Sequence, residues 1–211
     1  MARTNRTRKV EPSVPAVSVP DRPITALAAA GVLVSGYLTW LKWSGTGAAL
    51  CAAGSGCDIV QASRYAMFLW VPTALWGLVL YAVIGALAGL GLSGRRFVAA
   101  FVLAAAGVGF SLYLTALSVF DVGATCMWCL TSALISVALF AALVLRRPAP
   151  EGRKSPIRPL SLATYGGLAA VGAILGGAFV FAAPFSASAG YQEALARHLA
   201  QTKSIMYGAY W

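Results

Sequence analysis

The sequence predicts an all-α integral membrane protein, a four-helix transmembrane bundle followed by a fifth membrane-spanning helix. Three observations predict it. Of the 211 residues, 59% are hydrophobic and only 10% charged, against about 25% charged in soluble globular chains. The apolar residues fall into five runs, 24–43, 68–92, 97–120, 127–145 and 160–185, each near the roughly 20 residues a helix needs to cross a hydrocarbon core. The basic residues gather beside those runs rather than within them. In lipid every backbone polar group needs an internal partner, so runs of this length are expected to be helices.

Residues 1–23 contain no apolar core and do not resemble a cleaved signal peptide. Punctuated by Pro12, Pro15, Pro20 and Pro23, they read as a disordered cytoplasmic lead. The four spans in residues 24–145 form the bundle. A basic, Pro-containing linker, 146–159, separates it from the fifth span, 160–185. Gly85 with Gly89, and Gly172 with Gly176, have the small-xxx-small spacing of ordinary helix packing in membranes. Beyond 185, residues 191–202 are weakly amphipathic and 204–211 resemble a short strand. Twenty-six residues are too few for a domain, so 186–211 is expected to begin an extracytoplasmic unit.

The net charge of +10 would suggest a nucleic-acid partner in a soluble protein. Its distribution excludes that reading. Arg3, Arg6, Arg8, Lys9 and Arg22 precede the first span, Arg95 and Arg96 fill the turn between the second and third, and Arg146, Arg147, Arg153, Lys154 and Arg158 follow the fourth. Only Lys42, Arg64, Arg197 and Lys203 fall on the other side. Lys and Arg accumulate in cytoplasmic loops, which puts the N-terminus inside and the C-terminal tail outside.

That topology brings all four cysteines to the outer face. Cys126-Met127-Trp128-Cys129 is a Cys-x-x-Cys in the first turn of a helix, where free backbone amides and the helix dipole favour a thiolate and redox activity. Cys51 and Cys57 lie in the first outer loop, 44–67, separated by small residues that allow a disulfide to close and either sulfur to swing away. The outer compartment is also where disulfides persist. Two cysteine pairs could instead hold zinc or an iron-sulfur cluster, but His198, the one histidine, lies in the distal tail, and no metal is expected. A membrane scaffold or transporter with two structural disulfides is the non-enzymatic alternative.

These residues carry a family resemblance. Cys51-x5-Cys57, Ser63-Arg64-Tyr65, Val71-Pro72-Thr73-Ala74-Leu75-Trp76-Gly77, Ser111-Leu112-Tyr113-Leu114 and Cys126-x-x-Cys129 together resemble a bacterial homologue of vitamin K epoxide reductase (VKOR) across most of residues 24–145. The resemblance implies a quinone-dependent, disulfide-forming oxidoreductase in the bacterial inner membrane. Its partners would be membrane lipid, a quinone in the bilayer (menaquinone or ubiquinone) and a thioredoxin-like protein or fused domain, with no nucleic acid. The fifth helix implies such a fused domain, truncated here just before its own Cys-x-x-Cys. By position, Cys57 would accept electrons from the partner, Cys51 would exchange with Cys126, and Cys129 would face the quinone. Trp76, Tyr113 and Trp128 are expected to line the quinone pocket, and Ser63 and Arg64 to hold the loop over the bundle mouth. Ala133 stands where vertebrate members have a tyrosine near the substrate ring, so a plain quinone is expected as acceptor rather than the vitamin K epoxide.

Overall fold

A computed structural model describes residues 20–44, 55–146 and 159–182, together with His198 and Gln201. Most of the expected cytoplasmic lead, the basic linker, the tail and Cys51 lie outside the described residues. The elements are helices α1 (Arg22–Ser44) and α2 (Gly56–Ala62), strands β1 (Met67–Phe68) and β2 (Val71–Pro72), and helices α3 (Thr73–Gly89), α4 (Gly94–Leu117), α5 (Met127–Leu145) and α6 (Pro159–Ala182). Helix α4 runs on into a π-helical turn, Ser118–Val122.

Among the described residues four helices, α1, α4 with its π turn, α5 and α6, are long and apolar enough to cross a membrane, and α3 is a shorter apolar helix. The protein is therefore a multi-pass membrane protein. Around the bundle α1 packs against α3 and α5, and α4 packs against α3 and α5 from the other side. Helix α6 lies along the outside of α4.

The second span is shorter than the sequence suggests. An apolar run from Phe68 was expected to be helical, but Met67↔Pro72 and Phe68↔Val71 pair as a small antiparallel hairpin. Leu69 and Trp70 turn it with φ of 52° and 67°, the left-handed pair of a type I′ turn. Pro72 has no N–H to bond back into a helix running in from Phe68, and it caps α3, which begins at Thr73. Arg95 and Arg96 do not fill a turn; they sit in the first turn of α4.

The two ends of the bundle are built differently. At the end where α1 and α4 begin, Ile24, Ala28, Ile84, Ala88, Phe97, Ala100, Phe101, Leu139 and Leu143 form a closed core with Leu162 of α6. Arg146 ties that end by an ion pair to Asp21. The opposite end contains a cavity.

Candidate functional site

Cys126 is the N-cap of α5, and its sulfur accepts a hydrogen bond from the backbone N–H of Cys129 at 3.3 Å. A sulfur there answers amides that have no partner within the helix. Cys126 is 1% exposed and Cys57 7%; Cys129 is half-buried. The Cys129 thiol, hydrogen-bonded to Cys126, pulls the Cys126 thiol down to about 6 against the opposing effect of burial. The backbone amides of Cys129 and Trp128 and the Cys57 thiol add to the pull. Cys126 is thus the natural thiolate of the group.

Cys57 reaches this position because α2 is pressed onto the segment before α5. A Cβ at Gly56 would collide with the Thr125 carbonyl oxygen. Only glycine permits that approach, and the residues that follow the two touching ones are Cys57 and Cys126. Lys42, in the last turn of α1, donates to the Gln61 carbonyl at 2.7 Å and holds α2 from the other side. Ser63 donates to Val60 O at 2.7 Å, closing the C-terminus of α2.

Beyond Ser63 the chain is tied to the π turn. Arg64 donates to the Tyr65 hydroxyl at 2.5 Å, and Tyr65 donates to Asp121 at 2.5 Å. Burial, then the Asp121 hydrogen bond, raise the Tyr65 phenol above its ordinary value, so it stays a protonated donor. The direct Arg64–Asp121 pair is longer, 3.5 Å, and half-exposed on both sides.

Beneath this cap lies a cavity of about 430 Å³, within the roughly 300–1,000 Å³ of small-molecule sites. Cys126 and Cys129 stand in its wall, with Leu38, Phe68, Trp76, Leu80, Phe110, Leu114 and Leu130 as the apolar lining. It is a largely apolar chamber with a dithiol at one side.

Of the three aromatic rings expected in this wall, Trp76 is present, donating to Phe68 O at 3.2 Å. Tyr113 and Trp128 stand outside it. Tyr113 stacks on Phe181 of α6 with centroids 6.4 Å apart, and Trp128 packs on Tyr37 of α1 at 5.0 Å. Neighbouring helices account for both: Phe181 of α6 takes the Tyr113 ring and Tyr37 of α1 the Trp128 ring. Cys57, expected to accept electrons from a protein partner, is buried beside Cys126.

Sequence reasoning assigned no site role to five hydroxyls of the cavity wall, Ser35, Tyr81, Ser111, Ser132 and Ser136. Polar side chains inside apolar spans were the available signal, since these face a bundle interior or cavity.

Fold and site together define a multi-pass membrane bundle with a buried thiol cluster capping an apolar cavity. Residues 22–144 match the model of the vitamin K epoxide reductase family, and the chain belongs to that family. It is also 30% identical over 207 residues to the thiol-disulfide oxidoreductase LTO1 of Arabidopsis thaliana, covering 85% of this chain and 54% of that protein. The chain thus spans about half the length of this curated relative.

Proposed function

We propose that this chain is a thiol oxidoreductase carrying electrons from a thioredoxin-like dithiol partner through Cys51/Cys57 and Cys126/Cys129 to a quinone. It would thereby support disulfide formation in exported proteins. The observation that carries the reading is Cys57 hydrogen-bonded to Cys126, which caps α5 beside Cys129 over an apolar cavity. The Arabidopsis relative is a thiol-disulfide oxidoreductase by name, which agrees with thiol chemistry. The charge distribution supports an orientation in a bacterial inner membrane with the N-terminus in the cytoplasm and the cysteines outside.

The thiol steps balance as two exchanges. The Cys57 thiolate attacks Cys126 of the Cys126–Cys129 disulfide, forming a Cys57–Cys126 bond and releasing the Cys129 thiolate. Cys51 then attacks Cys57, closing a Cys51–Cys57 disulfide and releasing the Cys126 thiolate. A low thiol pKa makes Cys126 a good leaving group in that step. The partner dithiol reduces Cys51–Cys57 and is itself oxidised. A bound quinone supplies a two-electron, two-proton acceptor for the Cys126/Cys129 dithiol. Cys129, half-buried in the cavity wall, would be the sulfur that meets it, and the apolar lining would keep water from the ring. Trp76 would pack against the ring as part of that wall.

The test is quinone reduction by the purified protein with a reduced thioredoxin-like donor. Activity in the wild type and none above background in Cys129→Ala is expected; unchanged turnover in that variant would contradict the assignment.

A further inference from the structure

We infer that a hydroxyl cluster in the cavity wall, Tyr81, Ser111 and Ser136, is the headgroup subsite for the quinone, with Ser111 as its hydrogen-bond donor. This rests on the quinone reading above and assigns a second recognition element to the same cavity.

A hydroxyl in the middle of a membrane bundle is costly unless bonded, yet three helices each bring one to the same place. Tyr81 of α3 is 1% exposed and Ser136 of α5 is 4%. The Tyr81 phenol donates to the Ser132 carbonyl at 2.7 Å and lies 2.7 Å from the Ser136 hydroxyl and 3.0 Å from that of Ser132. Its ring is fixed by α1: a Cβ at Gly31 would stand 2.5 Å from Tyr81 Cγ. Tyr81 and Ser136 therefore make a rigid, satisfied pair.

Ser111 differs. Its hydroxyl lies 3.5 Å from that of Ser136, the outer limit of a hydrogen bond. It is the loosely held member, and its proton can turn to a ligand in the cavity whose wall it forms. Ser132 and Ser136 follow Cys129 at i+3 and i+7 on one face of α5, about 4.5 and 10.5 Å further along the axis. A ring with one edge at Cys129 turns its far carbonyl toward these hydroxyls. Ser111 then donates to that oxygen, with the Tyr81–Ser136 pair as the fixed support that orients it.

The experiment measures equilibrium binding of a short-chain naphthoquinone through quenching of tryptophan fluorescence, since Trp76 is in the wall, alongside KM and kcat for its reduction. Ser111→Ala is expected to raise Kd and KM about tenfold, one hydrogen bond's worth. The thermal midpoint should not change, and Ser111→Thr, which keeps the hydroxyl, should restore both constants. Tyr81→Phe should raise Kd as well. Unchanged Kd in both Ser111→Ala and Tyr81→Phe, with a wild type that binds and reduces the quinone, overturns the subsite and leaves the proposed function standing. A wild type that neither binds nor reduces the quinone overturns both.

Discussion

The two ends of this bundle use the same four helices for opposite purposes. At one end α1, α3, α4 and α5 meet through Ile24, Ile84, Phe97 and Leu143, each 0–1% exposed. At the other the same helices present Ser35, Gly77, Ser111 and Ser132 around a cavity capped by thiols. Close packing at the first end fixes the helix axes, since dense cores have low compressibility. A cavity can persist at the second because its walls are held from below and, through the Arg64–Tyr65–Asp121 tie, from above.

Substitutions can separate the two ends. The largest effect is expected at the packed end: Phe97→Ala should cost about 3–5 kcal/mol in a detergent unfolding assay, while the pH at which Cys126 alkylates stays the same. At the cavity end, Gly56→Ala drives a methyl into the Thr125 carbonyl. A stability loss of about 1–3 kcal/mol is expected from overpacking, together with loss of Cys57–Cys126 exchange in a trapping assay, because α2 must lift.

Smaller effects should follow from the electrostatics. In the reduced protein, Cys126 alkylation should reach half its maximal rate at about pH 6, since the thiolate fraction rises as pH climbs through the lowered value, and not at the ordinary 9.0. Removing the Cys129 thiol in Cys129→Ala removes the main cause of that shift, so the midpoint should move upward. A midpoint unaffected by Cys129→Ala would place the cause elsewhere. The smallest effect is predicted for Arg64→Ala. Its ion pair is half-exposed, so a stability change under about 1 kcal/mol is expected.

Much of this was legible from local pattern. Apolar run length located the spans, and the Cys-x-x-Cys before an apolar run placed its first sulfur where the helix offers amides. The hairpin at 67–72 was not legible, because apolar residues in a short turn look like the start of the helix they precede. Nor was the facing of Tyr113 and Trp128. Aromatic character says that a ring prefers an apolar or interfacial setting, but only the neighbouring helices decide the direction in which it points, and α6 and α1 claimed these two rings. Tyr81 was passed over for the same reason, as its hydroxyl partners come from a helix 51 to 55 residues away. The proximity of Cys57 to Cys126 depends on the fit of Gly56 against Thr125, a contact between segments that no spacing rule connects.

The most direct measurement of the central claim is the identity of the sulfur that exchanges with Cys126. In a Cys129→Ser variant isolated from cells under acid quench, Cys126 has lost its resolving partner, and peptide mapping should find it joined to Cys57. A Cys126 linked instead to Cys51, or found only as a free thiol, would contradict a relay that passes through the Cys57–Cys126 contact.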